Sequence, residues 1–298
     1  MRYWCAGPSG LGFDSLNHPS KFTQILTIGG EDMKRMYTSL NVAVGCKEKG
    51  FSTGCMHCVA VKCAHLQSHR KDGAKQTPIY KAVLKYVDGK PYWNNKVIFN
   101  KHWDYPIKYG KGKIKPKPRK FLASYNGEIA LLSDKELSKA CNELLMSAQK
   151  GHMHSFTILT KIPGRIVKFI ESTVSELKNA EIDVSSLSNV IIATSVETDA
   201  EKFRIDQLRK CKYFQTEVWF KPLLSKISNP NFRNIDSIRI NVEKGNEKRT
   251  CKSSWIYDLI KNAKKTKTKT HLDMDLGDLK NIKGVHKKIK NKIMKVYS

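Results

Sequence analysis

Short apolar runs and amphipathic stretches alternate along most of the chain. Apolar, β-branched runs predict strands at 40–44, 96–100, 120–125, 155–160, 190–196, 217–220, 237–242 and 270–274. Apolar residues at helical spacing predict helices at 56–69, 79–86, 133–150, 163–179, 199–210 and 253–263. Repeated strand–helix alternation is typical of a parallel sheet with crossover helices. The pattern therefore predicts an α/β fold, a TIM-like (β/α) barrel with parallel strands, complete or partial.

The two ends of the chain stand outside this alternation. Residues 1–38 are irregular and rich in Gly, Pro and Ser, with one strand predicted at 24–28, and we expect them to form an N-terminal cap segment. Residues 39–277 form the predicted barrel, and residues 278–298 form a basic C-terminal tail. The N-terminus lacks a basic region followed by an apolar block, and no apolar run approaches a membrane span. We therefore expect a cytoplasmic protein with no membrane partner.

Polar residues directly follow most of the predicted strands. The active sites of barrels lie at the carboxyl ends of their strands, so these residues would ring one opening. They are Cys46, Asn126, Glu128, Lys161, Glu197, Lys221 and Glu243. A single polar residue there is what any loop supplies, but the whole set, with cysteines after the first strand, indicates a functional site.

Four of the eight cysteines lie within residues 46–63, which read CKEKGFSTGCMHCVAVKC. Cys55 and Cys58 form a C-x-x-C pair, in which the turn points both sulfurs to the same side, and Cys46 precedes them. Clustered cysteines indicate a reducing compartment and metal chemistry rather than a disulfide framework. The cysteines outside this stretch are Cys5, Cys141, Cys211 and Cys251, which we expect to be buried or incidental thiols.

Three interpretations of the cysteine stretch are open from spacing alone. Three thiolates on a cubane iron–sulfur cluster would leave one iron open to a substrate or cofactor. A closed zinc site would need a fourth ligand, from Cys63, His57 or His65. Buried free thiols without metal are disfavoured, because a C-x-x-C pair flanked by Gly and a third Cys is uncommon outside disulfide scaffolds.

The formal net charge of +27 is the other large signal. A field of that sign attracts polyanions, of which nucleic acid is the commonest, and we expect DNA or RNA to bind a basic surface. A proteome-wide preference for Lys explains the charge equally well. Aromatic residues lie among lysines at 93–109, where they would either stack on single-stranded nucleic acid or pack a loop against the barrel.

The order of motifs resembles the phage three-cysteine-motif family, a group of largely uncharacterised radical-SAM-like proteins. The segment N-P-x-x-G-C of that family corresponds to residues 41–46, with Val42 in place of proline, and G-C-x-x-C-Y-A corresponds to residues 54–60, with Val59 in the aromatic place. The segment F-x-x-L-T-K-x-P-x-R is matched closely by residues 156–165.

Other segments of the family match less closely. K-P-R followed by F-V-N-S-M-S-D corresponds to residues 117–128, and G-x-S-V-E to residues 193–197, with Ala193 for the glycine. E-P-L-L stands at residues 221–224, where Lys221 replaces the acid. Of G-G-E-S-G only Glu243 and Gly245 fit, so the resemblance covers about residues 40–277 and weakens toward the C-terminus.

The resemblance implies a [4Fe–4S] cluster held by Cys46, Cys55 and Cys58, with S-adenosylmethionine (SAM) chelated by the open iron. Cleavage of SAM would yield a 5′-deoxyadenosyl radical that abstracts hydrogen from a nucleic acid or nucleotide-derived substrate. The residues expected to bind cofactor or substrate are Asn126, Glu128, Lys161, Arg165, Ser195, Glu197 and Glu243. Glu128 or Glu197 would accept from SAM, and the two basic residues would hold a carboxylate or phosphate.

The resemblance also implies the bacterial host cytoplasm as location if the chain is phage-encoded, with a partner protein encoded nearby. Two non-catalytic alternatives remain beside the radical enzyme. One is a nucleic-acid-binding protein stabilised by zinc or by an iron–sulfur cluster. The other is an iron–sulfur protein that transfers electrons or senses redox state without SAM.

Overall fold

The computed structural model describes residues 25–27, 36–48, 50–52, 55, 57–69, 77–103, 118–150, 153–184, 187–244, 248–274 and 282–284. Most of the predicted N-terminal cap and nearly all of the basic tail lie outside these residues. The same holds for residues 104–109 of the aromatic and basic segment at 93–109. Among the described residues, no helix has the length and apolar character that crossing a membrane requires.

The main sheet has eight strands, in the order β1-β2-β7-β8-β9-β10-β11-β13. Its members are β1 (Ile25–Thr27), β2 (Met36–Ser39), β7 (Lys120–Ala123), β8 (Ser155–Thr160), β9 (Val190–Ser195), β10 (Gln215–Phe220), β11 (Ser237–Ile240) and β13 (Lys269–Leu272). Edge strand β1 is antiparallel, whereas the pairs β2–β7, β7–β8, β9–β10, β10–β11 and β11–β13 are parallel. Neighbours follow chain order, as in a partial (β/α) barrel, so the mixed α/β class is confirmed.

Six short strands form small separate pairs. They are β3 (Ala43–Val44) with β6 (Ile98–Phe99), β4 (Leu84–Val87) with β5 (Lys90–Trp93), and β12 (Cys251–Lys252) with β14 (Ile282–Lys283). The α-helices of the described residues are α1 (Val59–Ser68), α2 (Thr77–Ala82), α3 (Asp134–Lys150), α4 (Pro163–Asn179), α5 (Phe203–Leu208) and α6 (Ser253–Lys265). The same part of the chain contains 3-10 turns at Ile129–Leu131 and Asp199–Glu201.

The first strand of the parallel sheet was placed wrongly by the sequence pattern. The apolar run 40–44 is broken by Asn41, whose φ of 48° lies in the left-handed region. The chain therefore leaves the sheet at Ser39, and β2 precedes the break. The remaining part of the run becomes β3, which pairs antiparallel with β6, so the predicted strand 96–100 is also outside the main sheet.

Two helix predictions also need correction. The stretch 79–86 divides into helix α2 and strand β4, because Asp88 and Gly89 have φ of 49° and 71° and close a tight hairpin between β4 and β5. The stretch 199–210 divides into a 3-10 turn and the short helix α5. Helix α4 and strand β8 have the predicted bounds.

The chain divides into two compact units. The first unit contains residues 1–28, 32–48 and 58–158, and the second contains residues 29–31, 49–57 and 159–298. In the first unit, the rings of Phe121 and Phe156 stack with centroids 5.2 Å apart, and the buried face of α3 includes Leu137 and Leu144. Each unit therefore has apolar residues of its own to form a core.

In the second unit, alternate strand residues divide the sheet into two faces. Register places Val218 beside Ile238 on a buried apolar face, and α4 and α6 contact β9 and β13 respectively. The opposite face carries Glu217, Trp219 and Arg239 on the same two strands. A strand has a side-chain period of two, so this alternation gives one face to the helices and leaves the other polar.

Candidate functional site

The sulfur atom of Cys55 is surrounded by hydrogen-bond donors in the second unit. The backbone N–H of Phe51 donates to Sγ at 3.3 Å and the Nζ atom of Lys161 donates at 3.4 Å. The hydroxyl of Ser52 lies 3.6 Å from the same sulfur. A turn closed by the Cys55 N–H and the Ser52 carbonyl, 2.9 Å apart, brings these backbone groups together. Such donors stabilise a thiolate more than a neutral thiol.

Lys161 is held in place by a buried carboxylate. It directly follows β8, and its Nζ atom donates to the Ser52 hydroxyl at 2.9 Å and to Oε1 of Glu197. Glu197 lies two residues beyond β9, and its side chain is only 2% exposed. Carboxyl ends of parallel strands meet at one edge of a sheet, which explains how residues 36 apart in sequence become an ion pair.

Arg204 completes this cluster from helix α5. Its Nη1 atom lies 3.4 Å from Oε2 of Glu197 and donates to the Ser195 carbonyl at 2.8 Å. Its Nη2 atom donates to the Phe51 carbonyl at 3.1 Å. The guanidinium thus ties the segment before Cys55 to the end of β9. We call Ser52, Cys55, Lys161, Glu197 and Arg204 the cysteine–lysine cluster.

The charges in this cluster shift two pKa values. Burial alone would raise the pKa of the Cys55 thiol, but the Lys161 charge and hydrogen bonds from Phe51 and Ser52 outweigh it, so the pKa lies below its ordinary value. Burial alone would lower the pKa of Lys161, but Glu197 and Cys55 outweigh it and the pKa lies above its ordinary value. Both shifts favour a thiolate beside an ammonium group.

Gly50 permits the close approach of the cysteine segment. Its φ of +64° lies in the left-handed region, and a Cβ atom there would lie 2.2 Å from Cβ and 2.6 Å from Sγ of Cys55. No side chain fits in that space without displacing the thiol.

Glu243, a further predicted site residue of the second unit, is held by an arginine. Its carboxylate accepts from the backbone N–H and the Nε atom of Arg249, each at 2.8 Å, and from Nη2. Burial raises the pKa of Glu243, but the Arg249 hydrogen bonds and the charge of His57 outweigh it, and the pKa lies below its ordinary value. Glu243 is therefore a charged residue that already has a bidentate partner.

Within the first unit, Cys46 follows a glycine that is packed against the loop after β7. Gly45 has φ of +103°, and a Cβ atom there would lie 2.1 Å from the Lys96 carbonyl oxygen. The Gly45 N–H donates to the Asn126 carbonyl at 3.0 Å, and the Glu128 N–H donates to the Gly45 carbonyl at 3.0 Å. The structure thus brings two predicted site residues beside the backbone that carries Cys46.

The side chains of these two residues have structural partners. Asn126 is fully buried, its N–H donates to Oδ1 of Asn41 at 3.1 Å, and its Nδ2 lies 3.5 Å from the Tyr80 hydroxyl. Glu128 caps the 3-10 turn that follows it, because Oε1 accepts from the Ala130 N–H at 3.1 Å. Both therefore organise the loop after β7.

Cys58 occupies the N-cap position of α1. Burial and the charge of Cys58 raise the pKa of Tyr125, another residue of the first unit. Cys63 lies inside α1 and is buried, as expected for a helix residue, but it is disulfide-bonded, so the expectation of a cysteine stretch without disulfides is wrong at this position.

The other predicted site residues differ in their surroundings. Ser195 is buried at the end of β9 and contributes its carbonyl to the cysteine–lysine cluster. The guanidinium of Arg165, in the first turn of α4, lies over the Phe169 ring at 5.5 Å. Lys221 donates to Oδ2 of Asp273 at 2.8 Å. Of these three residues, Ser195 contacts the cysteine–lysine cluster, whereas Arg165 and Lys221 have other partners.

A second polar group, which the sequence did not predict as a unit, lies on strands β10 and β11. Arg239 donates through Nε to Oε2 of Glu217 at 2.9 Å and through Nη1 to Oδ1 of Asp273 at 3.2 Å. Glu217 also accepts from the Trp219 indole and from the Ser237 hydroxyl. Alternation of polar and apolar residues along SIRI and EVWF was the available signal, because every second residue there is polar or aromatic.

The remaining cysteines contrast with the three predicted ligands. Cys141 and Cys251 are buried, and burial raises the pKa of each thiol to about 12. Cys211 is half-buried with a raised pKa, caused first by burial, and Cys5 lies outside the described residues.

Cys46, Cys55 and Cys58 are partly exposed and are not disulfide-bonded. Across the described ranges, no group of three or more His, Cys, Asp and Glu side chains has the arrangement of metal ligands. Of the three cysteines, Cys55 accepts hydrogen bonds from the Phe51 N–H and from Lys161, which are the kind of contacts that stabilise a thiolate ligand of a metal.

Comparison with known proteins gives one match. Residues 32–294 match the family model described as "Protein of unknown function (DUF5131)". No curated protein and no solved structure matches the chain significantly. Since the match covers well over half of the 298 residues, the chain belongs to the DUF5131 family.

Proposed function

We propose that this DUF5131 protein is a radical-SAM-type iron–sulfur enzyme that acts on a nucleic acid or a nucleotide-derived substrate. The observation that supports it best is the environment of Cys55, whose sulfur accepts hydrogen bonds from a backbone N–H and from Lys161. Hydrogen bonds to sulfur stabilise cluster thiolates and tune their potential. The motif resemblance and the partial (β/α) barrel order of the sheet add support.

In this proposal, Cys46, Cys55 and Cys58 hold a [4Fe–4S] cluster and leave one iron for SAM. When bound and reduced, the cluster supplies the electron that cleaves SAM to methionine and a 5′-deoxyadenosyl radical. Lys161 hydrogen-bonds the Cys55 sulfur, and Glu197 fixes the Lys161 ammonium group at that position.

The structure changes the roles proposed for two acids. Glu197 is neutralised by Lys161 and Arg204, so we propose that it orients Lys161 rather than binding the SAM amino group. Glu128 caps the 3-10 turn after β7, and we propose that it positions the loop beside Cys46. Asn126 shares this loop and this proposed positioning role.

The net charge of +27 supports a polyanionic substrate, and the proposal includes DNA, RNA or a nucleotide derivative. It also includes a cytoplasmic location and a partner protein encoded nearby, both of which rest on the resemblance.

A SAM-cleavage assay tests the proposal. The protein is reconstituted anaerobically with iron and sulfide, reduced with dithionite, and incubated with SAM, and 5′-deoxyadenosine is quantified. We expect 5′-deoxyadenosine from the wild type and from C211A, and none above background from C58A. Folded, iron-loaded wild type that releases no 5′-deoxyadenosine would contradict the enzymatic proposal.

One observation favours a second candidate, a nucleic-acid-binding protein without catalysis, stabilised by zinc or an iron–sulfur cluster. Lys161 and Arg204 both form ion pairs with the buried carboxylate of Glu197, as in a structural ion-pair network. Metal-loaded protein that binds nucleic acid but neither binds nor cleaves SAM would support this candidate.

A further inference from the structure

Basic residues concentrate at the amino ends of three neighbouring strands in the second unit. The segments that precede β10, β11 and β13 carry six exposed cations, which we call the basic rim: Lys210, Lys212, Arg233, Lys265, Lys267 and Lys269. Because β10, β11 and β13 are adjacent in the sheet, these segments are neighbours in space as well.

Hydrogen bonds join the three segments directly. The Nε atom of Arg209 donates to the Arg233 carbonyl at 2.9 Å, which links the first segment to the second. The hydroxyl of Thr268 donates to the Phe232 carbonyl at 3.1 Å, and the Lys269 N–H donates to the Asp236 carbonyl at 3.0 Å. Adjacent strands lie about 4.8 Å apart, so the six cations form one continuous row rather than three separate sites.

The residues of the basic rim are not held in ion pairs. Within the described part of the chain, none of the six forms an ion pair: Asp206 pairs with Arg209 instead, and Glu171 and Asp236 act electrostatically on Cys211, between Lys210 and Lys212. Asp236 accepts from the N–H and hydroxyl of Thr216. Residues 261–269, which read KNAKKTKTK, contain five lysines and no acid.

The positive charge at Lys267 does not contribute to the stability of the local backbone conformation. It follows the last turn of α6 with φ of 60°, in the left-handed region where glycine or asparagine is normally found. A lysine there is about 1 kcal/mol less favourable than glycine. Lysines near a helix C-terminus do stabilise the helix dipole, but Lys210, Lys212 and Arg233 lie on other segments.

We propose that the basic rim binds the phosphodiester backbone of a nucleic acid. A row of cations without acidic partners suits regularly spaced phosphates. The exposed ring of Tyr213, 42% accessible, adjoins Lys212 in sequence, and the Lys178 ammonium group lies 4.6 Å from its centroid, which adds a further cation beside the rim. Tyr213 is the one large apolar side chain exposed among the described rim segments, so little apolar surface is available for insertion into a lipid bilayer.

The basic rim is separate from the cysteine–lysine cluster. Lys161 and Glu197 follow the carboxyl ends of their strands, while the rim lies at the amino ends, about 20 Å away for a six-residue strand. The rim would therefore contact the backbone of a nucleic acid at a distance from the reaction centre. This inference names the surface for the polyanion in the proposed function, but it requires neither the cluster nor SAM.

Salt-dependent binding tests the inference. Fluorescence anisotropy would measure the affinity of the full chain for a labelled 30-base-pair DNA duplex and for a single-stranded RNA of the same length, over a series of KCl concentrations. We expect K210Q/K212Q/K265Q/K267Q/K269Q to weaken binding at least ~30-fold at low salt and to reduce the slope of log affinity against log salt by ~2 to 4.

A matched variant removes the same charge from the first unit. K81Q/K90Q/K101Q/K135Q/K150Q changes five exposed lysines that do not belong to the rim, and we expect a loss of less than ~3-fold. Equal losses in the two variants would show that the general field of the protein binds nucleic acid and would overturn the proposal. Wild type that binds anionic vesicles, or an acidic peptide, but no nucleic acid would also overturn it.

A single variant separates binding from folding. K267G removes one rim charge while relieving the left-handed backbone, so we expect weaker binding with an unchanged or raised melting temperature. Unchanged affinity together with an unchanged salt slope would contradict a role for this lysine. The rim variants should keep wild-type iron and sulfide content, so failure of this inference and failure of the proposed cluster are distinguishable.

Discussion

At the scale of single residues, Cys55 differs from the other described thiols in what surrounds its sulfur. Cys141 and Cys251 lie in apolar surroundings that keep them protonated, while Cys55 lies beside an ammonium group and a backbone donor. The same residue type thus has opposite protonation preferences because of its neighbours. The thiolate therefore forms at lower pH at Cys55 than at the buried thiols.

Replacing Lys161 should change the titration of Cys55. Burial alone would raise the pKa of this thiol, but the Lys161 charge, which is the largest opposing effect, helps to lower it below its ordinary value. The Cys55 thiolate therefore persists to lower pH than an ordinary thiolate does. In metal-free protein, K161M should raise that pKa and slow alkylation of Cys55 by iodoacetamide at pH 7 about tenfold, read by peptide mass spectrometry. Cys211 alkylation is the internal control and should not change, and equal Cys55 rates in both proteins would contradict the assigned interaction.

Gly50 is the residue whose replacement most directly displaces the thiol. G50A places a Cβ atom within 2.6 Å of the Cys55 sulfur, so we expect loss of more than about half of the bound iron after reconstitution. G89A is the matched control, because Gly89 has a similar φ of +71° but open space around its Cβ position. Both variants carry about 1 kcal/mol of backbone strain, and iron content that falls equally in both would contradict a specific role for Gly50.

At the scale of elements, the sequence pattern identified strands and helices wherever one period dominated. Helix α4 and strand β8 have the predicted bounds, since 17 and 6 residues keep one period throughout. The strand predicted at 40–44 was wrong because Asn41 adopts a left-handed backbone conformation that ends the strand. The pattern of apolar residues does not reveal such a conformation. Helix and strand cannot be distinguished by periodicity in a stretch as short as 79–86.

The candidate site was predictable from three separate signals. Lys161 and Glu197 were expected because they follow predicted strands, Cys55 because of its C-x-x-C spacing, and Ser195 because of the motif resemblance, and the structure brings them together. Arg204 was not expected, because it lies within a helix and reaches Glu197 only through the packing of α5 beside β9. Sequence spacing carries no information on such a tertiary contact.

The ion pairs between β10, β11 and β13 give a prediction about stability. R239M removes the cation between the buried carboxylates of Glu217 and Asp273, and we expect the free energy of unfolding to fall by about 3 kcal/mol. Denaturant unfolding followed by circular dichroism measures the change. E217Q/R239M should recover part of the loss, since the amide leaves no uncompensated charge at that position. A double variant less stable than R239M would contradict this account.

At the scale of the whole molecule, two features of the composition, the net positive charge and the clustered cysteines, can be located in the fold. The net charge of +27 includes a row of unpaired cations at the amino ends of β10, β11 and β13, which composition alone could not locate. The clustered cysteines include one thiol that is stabilised as a thiolate by residues from the ends of two further strands. Because the chain belongs to DUF5131, the roles of the basic rim and of the clustered cysteines can be examined in other members of that family.

The central claim is that three cysteines hold an iron–sulfur cluster, and metal analysis of protein purified without air tests it most directly. Iron, acid-labile sulfide and zinc would be measured in wild type, C46A, C55A, C58A and C211A. The account predicts about four iron and four sulfide per chain in wild type and C211A, and less than about a quarter of that in the other three variants. About one zinc per chain with neither iron nor sulfide would contradict it.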